Sequence, residues 1–502
     1  MISKILDTDS KVLFKRLFLV SIFFHLLAVF FSEGFHRPDE HLGMLRYVYV
    51  KLGIYPISEL SWEYPAKIRN WVQPGFYYLI SSFLYTVGIK NPFTITFFLR
   101  LVTSALSLGV FTIFIKQCSI LVKDKVSLKV YYFFSFLFWF FPFIHARTTA
   151  ENFGMTSLTI VLILLMKCLP RETFESAREN FSYSLKNRSQ VIPLHFAILI
   201  GFFLGMTVNF RIPLAPIVPA TLCWLFLFGD TKISSLLNII LGGILSILFT
   251  TLIDTWGYEE FTYSTYSYLY QEFTRNVSTG FGTSPWYYYL NKVLMKGVPP
   301  ISLFILIPTI YFWIKKKSHL FTWISLSIFL LHSLIGHKEL RYIFPLVVFI
   351  PFFISYFISK FEIYIKNKNF LILFNVTIFV NFAFMTVSSL KPAYTPIDIY
   401  KFLYQNDYID KLYTYDNLQR DKLRIYLKNN IPFEYIQGEE KFSEVLKEND
   451  RSWFLVEKIK DFDLFEKNDC KALYTTYPDW FTQKFKKYLQ RSKAWNIYQC
   501  KS

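Results

Sequence analysis

Residues 11–41 read KVLFKRLFLVSIFFHLLAVFFSEGFHRPDEH, and this stretch decides the fold class. Lys11, Lys15 and Arg16 precede an apolar run from Leu17 to Phe31, and a polar segment from Ser32 to Gln73 follows it. A basic flank before a long apolar run marks a membrane span with its start on the cytoplasmic side. No small-residue cleavage site follows, so the run reads as a retained span and not as a signal peptide. Working outward, further apolar runs centre near residues 107, 137, 160, 200, 220, 244, 306, 327, 350 and 379. Phe76–Val87 is too short to cross comfortably and reads as an interfacial or re-entrant helix. The sequence therefore predicts an α-helical polytopic membrane protein with about eleven spans and a large first outer loop.

Composition agrees. Hydrophobic residues make up 53% of the 502 positions and charged residues only 18%, below the roughly 25% of soluble domains. The 57 Phe and 34 Tyr read first as lipid-facing and interfacial side chains. A net charge of +18 would fit a nucleic-acid partner, but the basic residues are dispersed among short loops, so none is predicted.

Those loops test the topology. With the N-terminus cytoplasmic, the even-numbered connections should be basic. They hold Lys116, Lys123, Lys125 and Lys129; Lys167, Arg171, Arg178, Lys186 and Arg188; Lys232; Lys315, Lys316 and Lys317; and Lys360, Lys366 and Lys368. The other side then receives the segment around Asp39, His145-Ala146-Arg147, Arg211, the loop from Asp254 to Lys296, and His337–Arg341. It also receives the tail after Val387. The tail changes character: Lys411–Tyr415, Phe433–Gln437 and Trp453–Val456 read as strands, and Asn417–Lys428 and Glu439–Glu448 as helices. The expected division is a transmembrane catalytic domain over 1–388 and a small extracytoplasmic α/β domain over 389–502. In an oxidising compartment Cys470 and Cys500 could form a disulfide, while Cys118, Cys168 and Cys223 read as packing residues. Asn276-Val277-Ser278 is a possible glycosylation sequon.

Several polar clusters invite chemistry. Asp39 and Glu40, beside His36 and Arg37, are either a solvated loop end or a general base held partly out of water. Trp62-Glu63-Tyr64 with Lys67 and Arg69 mixes aromatics, a carboxylate and cations as a sugar site would, and an interfacial helix would too. His337-Lys338-Glu339-Leu340-Arg341 is denser than membrane anchoring requires; Lys338 and Arg341 are suited to grip a lipid phosphate. Arg147 and Arg211 at span ends, and Trp286 in Gly282–Tyr287, read alone as interface anchors. The sequence lacks a P-loop, Cys/His metal spacing and a His-Glu-x-x-His motif. No cofactor or metal site is therefore predicted, although Asp39, Glu40 and Glu63 are of a type that ligates a hard divalent cation.

Taken in order, these clusters resemble glycosyltransferase family 22, the GPI-anchor and N-glycan precursor mannosyltransferases of the GT-C superfamily. The pieces are His36-x-Pro38-Asp39-Glu40, Trp62-Glu63-Tyr64 with Ile68-Arg69, Arg147-Thr148 with Glu151, and Arg211-x-Pro213. They continue with Asp254-x-Trp256-Gly257-Tyr258, Gly282-x-x-Pro285-Trp286-x-x-Tyr289, and His337-Lys338-Glu339-x-Arg341-Tyr342, the most specific element. Arg37 is inserted where the family often writes His-Pro-Asp-Glu, and the α/β tail differs from eukaryotic members, which suggests a bacterial or divergent branch. The resemblance implies an inverting transfer of mannose from a polyprenyl-phosphate (dolichyl-type) donor to a glycan or glycolipid. It implies Asp39 as base with Glu40 as fallback, and His337, Lys338, Arg341 and Arg211 at the donor phosphate. His36, Glu63, Arg69, Arg147, Glu339 and Trp286 would contact sugar or acceptor. The expected setting is a bacterial inner membrane with the active site outside, or the endoplasmic reticulum of a eukaryote. Alternatives are transfer of another hexose, arabinose or aminoarabinose, a lipid-linked-sugar transporter, and an assembly subunit. A transporter should place its charges near the midplane and often shows repeats; neither is evident here. The intact acidic and basic clusters count against a subunit with a degraded site.

Overall fold

The structure is a computed structural model that describes residues 8–175, 188–275, 280, 282–361, 368–394, 396–406, 408–415, 424–428, 431–457, 462–485 and 495–501. It divides into two compact units. One comprises Met1–Ser32, Leu42–Lys90 and Thr94–Lys391, the other Glu33–His41, Asn91–Phe93 and Pro392–Ser502.

The first unit is helical. Among the described residues six helices are long and apolar enough to cross a membrane: Ser10–Phe31, Pro92–Leu121, Ala150–Cys168, Ile233–Tyr258, Leu340–Lys360 and Lys368–Leu390. Four shorter apolar helices, Leu194–Phe210, Ile212–Leu227, Ile301–Lys315 and Leu320–Leu334, coincide with other apolar runs. Besides the short helix Arg171–Glu175, the α-helices in chain order are α1 (Ser10–Phe31), α2 (Arg46–Lys51), α3 (Val72–Thr86), α4 (Pro92–Cys118), α5 (Lys125–Leu137), α6 (Phe141–Ala146) and α7 (Ala150–Cys168). Then come α8 (Leu194–Phe210), α9 (Ile217–Leu227), α10 (Ile233–Tyr258), α11 (Ser264–Arg275), α12 (Tyr288–Lys296), α13 (Ile301–Lys315), α14 (Leu320–Leu334), α15 (Ile350–Lys360) and α16 (Lys368–Leu390). Some of their starts follow side-chain caps. Asp9 accepts from the amides of Lys11 and Val12 before α1, Asp124 from Ser127 N at α5, and Thr149 from Asn152 N at α7.

Two departures from a regular bundle shape this unit. The span centred near residue 137 is not continuous: α5 stops at Leu137 and α6 starts at Phe141. Backbone freed inside a membrane needs protein partners, and α16 supplies them. Asn381 donates to Leu137 O at 2.5 Å and accepts from Trp139 N at 3.0 Å, and Ser388 Oγ donates to Trp139 O at 3.1 Å. The other departure is at Leu340–Phe349, a 3₁₀ segment that leads into α15. Pro345 within it has no N–H and disfavours an α-helix there. Arg341, read from sequence as part of a connection, thus lies in the first turn of a helix. The helix α3 has 15 residues, about 22 Å of rise, short of a bilayer core of about 30 Å.

Small residues bring α8 and α10 together. A Cβ on Gly201 would collide with Ile239 O, and one on Gly242 with Ile198 O, so only glycine permits this backbone approach. The contact fixes the C-terminal end of α8, where Asn209 donates to Ser246 Oγ at 3.1 Å and Thr250 Oγ1 at 2.6 Å. Arg211 follows directly.

The second unit is a five-stranded mixed sheet, order β2-β1-β3-β5-β4, formed by β1 (Leu412–Tyr415), β2 (Phe433–Ile436), β3 (Arg451–Val456), β4 (Lys471–Thr475) and β5 (Asn496–Lys501). β1 pairs parallel with β2 and β3, whereas β5 runs antiparallel to β3 and β4. Helices α17 (Ile397–Gln405), α18 (Glu439–Glu448), α19 (Phe462–Lys467) and α20 (Asp479–Lys484) accompany it, and Phe442, Phe454, Phe465 and Tyr498 fill its core. A disulfide joins Cys470 and Cys500, whose Cα atoms are 4.3 Å apart. Most of the helix expected over Asn417–Lys428, and the sequon at Asn276, lie outside the described residues.

Glu33–His41 packs with this unit, although a boundary near residue 388 would group it with the spans. The reason is local. Glu33 O accepts from Ala393 N and Tyr394 N, Lys401 pairs with Glu33, and Phe35 stacks on Tyr394 with ring centroids 4.3 Å apart. Gly34, at φ +78°, makes the turn; a Cβ there would stand 2.8 Å from Tyr394 Cβ.

Candidate functional site

In the second unit, the two carboxylates of the first motif are not equivalent. Pro38 turns the chain, and a helical stretch opens at Asp39–Glu40, continues as a π-helical turn over His41–Leu45 and enters α2. Glu40 is 1% exposed, and its Oε1 accepts from His36 N at 2.8 Å. It ties the helix start to the preceding loop. Asp39 is half-buried, and the His36 and Arg37 side chains are exposed. The two carboxylates thus differ in burial, Glu40 enclosed and Asp39 partly open. His41 contacts Tyr426, its Nε2 3.3 Å from the phenolic oxygen.

In the first unit, the basic motif assembles around a carboxylate to which the sequence assigns no role. Glu151, 3% exposed in the first turn of α7, places Oε1 3.4 Å from Arg211 Nε and 3.5 Å from Arg341 Nε. Glu339 holds Arg341 from the other direction, Oε2 to Nε at 3.0 Å and Oε1 to Nη2 at 3.1 Å. His337 Nε2 is 3.6 Å from Glu339 Oε1, and its Nδ1 is 3.0 Å from Gly282 O. The Arg211 guanidinium lies over the Tyr342 ring, 4.6 Å from the centroid. Gly154, one turn beyond Glu151, leaves the space that Leu214 Cδ1 (3.0 Å from an ideal Cβ) and Arg211 Cβ (3.4 Å) fill. A buried carboxylate between two arginines is the arrangement an apolar span tolerates.

Lys338 is also buried. Its Nζ donates to Ser284 O at 2.7 Å and to Ile335 O, and Ser284 N donates to Gly336 O at 2.9 Å. The ammonium thus pins the Gly282–Ser284 segment to the loop after α14. Burial holds it below the ordinary lysine range. Two arginines and a lysine (Arg211, Arg341 and Lys338) and two carboxylates (Glu151 and Glu339) belong to this motif, in a largely buried place.

A second pair completes the unit's polar layer. Arg69 clasps Glu63 with Nη2–Oε1 at 2.6 Å and Nε–Oε2 at 3.2 Å, a bidentate contact at Gly43. The half-buried Tyr268 of α11 feels both clusters: burial raises its phenol, while Arg211 and Arg69 pull it down. Sequence reasoning missed Tyr268 because nothing in α11 but proximity marks it.

Other motif residues build scaffold. Arg147, expected at the sugar or acceptor, donates from Nη2 to Ser32 O and to Ser32 Oγ at 2.5 Å, capping the carbonyl end of α1. Asp254 accepts from Trp71 N at 2.7 Å and from Ser264 N at 3.1 Å and Oγ at 2.5 Å, so one carboxylate fastens the starts of α3 and α11. Trp286 is 66% exposed, with an edge contact to Tyr287. Among the described residues no three His, Cys, Asp or Glu side chains gather as metal ligands would.

The sequence model of the Alg9-like mannosyltransferase family matches residues 16–429. The chain belongs to this family. Among curated relatives it is 25% identical over 356 residues to GPI mannosyltransferase 3 of Candida albicans, covering 69% of this chain and 64% of that protein. To mannosyltransferase APTG1 of Arabidopsis thaliana it is 22% identical over 351 residues, 70% of this chain and 59% of that one. The matched region thus spans about three fifths of these relatives' length. In fold it is similar to ArnT of Cupriavidus metallidurans crystallised with undecaprenyl phosphate: TM-score 0.56, 11% identity, 97% of both chains covered. The protein is thus a multi-pass membrane protein of GT-C fold with a small C-terminal sheet domain.

Proposed function

We propose that this family member is an inverting membrane mannosyltransferase that takes mannose from a polyprenyl-phosphate donor and places it on a glycan or glycolipid. The observation that carries the reading is the buried cluster of Arg211, Arg341 and Lys338 with Glu151 and Glu339. Buried cations in a membrane protein favour an anionic ligand, and a lipid phosphate is the anion a bilayer delivers. Family membership supports mannose as the sugar. ArnT of Cupriavidus metallidurans, similar in fold, was crystallised bound to undecaprenyl phosphate.

In this reading the acceptor hydroxyl oxygen bonds to the anomeric carbon as the bond from that carbon to the phosphate oxygen breaks. Asp39 takes the hydroxyl proton. Charge grows on the departing phosphate, where Lys338, Arg341 and Arg211 stabilise it more in the transition state than before it. Glu151 and Glu339 hold the arginines in place beforehand, so little reorganisation is needed. One displacement converts a β-linked donor to an α-mannoside. In this reading the candidate site faces the compartment opposite the basic loops.

The test uses the purified full chain, synthetic polyprenyl-phosphate mannose and a panel of lipid-linked acceptors. Mannosylated product is expected. Consumption of polyprenyl-phosphate aminoarabinose or arabinose instead, with the mannose donor untouched, would overturn the sugar assignment.

A further inference from the structure

The first unit contains a cavity that the proposed reaction does not use. It has a volume of about 300 Å³, and its lining includes Lys123, Asp124, Lys316, Tyr356, Ser359 and Lys360. It lies at the ends of helices whose other ends carry the motif above. Lys360 closes the element Leu340–Lys360 that Arg341 nearly opens, and His319, also in the lining, caps α14, whose far end leads to His337. Ten 3₁₀ and eleven α residues separate the two places by on the order of 35 Å.

Three separate basic connections meet here, those at residues 121–124, 316–319 and 359–360. Anchoring a topology needs basic residues on one side of the bilayer but not their convergence. The lining holds three lysines and one carboxylate, and Asp124 is committed to the start of α5, accepting from Ser127 N at 2.7 Å. Lys316 and Lys360 both place their ammonium over the Tyr356 ring, 5.8 and 5.7 Å from its centroid. His319 Nδ1 accepts from Phe321 N at 3.1 Å, which leaves the imidazole proton on Nε2 as a further donor. Phe174, Phe312 and Phe352 supply an apolar wall. A cavity whose lining combines lysines with phenyl rings matches a phosphate carried on a glycerolipid better than a free phosphate ion.

We propose that this cavity binds the phosphate of an anionic membrane lipid at the basic-loop end of the helices. The proposal is independent of which sugar, if any, the protein transfers. Its test measures binding of dioleoylphosphatidylglycerol to the full chain in phosphatidylcholine nanodiscs, by native mass spectrometry and by the shift in melting temperature. The double variant Lys316→Gln/Lys360→Gln should weaken phosphatidylglycerol binding about tenfold or more, and Lys317→Gln, which removes a neighbouring charge outside the lining, should leave it unchanged. Equal binding by the double variant and the parent, or equal loss in Lys317→Gln, would overturn the site. Sodium phosphate giving the same lysine-dependent shift without the lipid would overturn the lipid assignment. Lys360 is exposed, so Lys360→Gln alone carries the test if the double variant does not fold; it should show part of the loss.

Discussion

Glu151 and Arg341 face each other at 3.5 Å, one in the first turn of a membrane helix and the other in the 3₁₀ segment that leads into a later one. Arg211 lies 3.4 Å from the same oxygen. The carboxylate therefore sets the spacing of two arginines and keeps their charges from repelling freely. Removing it should expose that repulsion. Glu151→Ala is expected to lower stability by about 3 kcal/mol, the scale of breaking a buried pair from one side. Glu151→Gln, which keeps the shape, should lose less, and both should raise the Michaelis constant for the donor. Melting in detergent and donor titrations check this; unchanged melting in Glu151→Ala would mean that Glu151 does not hold the two arginines in place.

Asp39 and Glu40 are adjacent but differ in what they already do. Glu40 is buried and bonded to His36 N, whereas Asp39 is half-buried. Asp39→Asn should reduce transfer by about 10²–10⁴-fold, the range of general-base contributions. Glu40→Gln should lower stability by about 1 kcal/mol while retaining most of the turnover. Normal transfer by Asp39→Asn would remove it from the base role.

Lys338 gives the proposed reaction an alkaline limit. Burial lowers its pKa below that of an ordinary lysine, so it loses its charge at a lower pH than a surface lysine. Below that depressed value the ammonium can hold the lipid phosphate; as pH rises through it, donor binding should weaken. Arginine stays protonated throughout, so in Lys338→Arg the alkaline rise of the donor Michaelis constant should move to higher pH. An identical profile in the two proteins would place the limit on another group. For folding the sign is opposite. A lysine with a lowered folded pKa binds fewer protons folded than unfolded in the window between the two values, so its penalty diminishes as pH rises there.

Much of this architecture was legible because membranes impose strict rules. Apolar run length located the helices, and the strands at β1, β2 and β3 followed from alternation and β-branched or aromatic content. β4 and β5 escaped notice: Lys471–Thr475 and Asn496–Lys501 are short and carry lysines at their ends, as edge and terminal strands often do. The basic motif stood out through charge density. Glu151 did not, because a single acid in an apolar run shows its meaning only when the arginines arrive from residues far along the chain. Arg147 shows the converse: a cation at a span end looks the same in sequence whether or not it also bonds a helix end, as Arg147 does at Ser32 O and Oγ.

The break between α5 and α6 is another place where sequence was silent, since Phe138-Trp139-Phe140 is as apolar as any span. The structure accounts for it through one side chain. Asn381 offers both a donor and an acceptor, meeting Leu137 O and Trp139 N together, which is what a broken helix in hydrocarbon requires. Asn381→Leu has similar volume but satisfies neither group. Each buried backbone group left unpaired costs about 1–3 kcal/mol, so this variant should lose about 2–6 kcal/mol. Asn381→Asp keeps the acceptor and loses the donor, and should place an unpaired charge beside Leu137 O. It is expected to be no better than Leu. Measured melting in detergent decides the matter: if Asn381→Leu were as stable as the parent, α5 would have closed into a continuous helix with α6, and the break would not depend on α16.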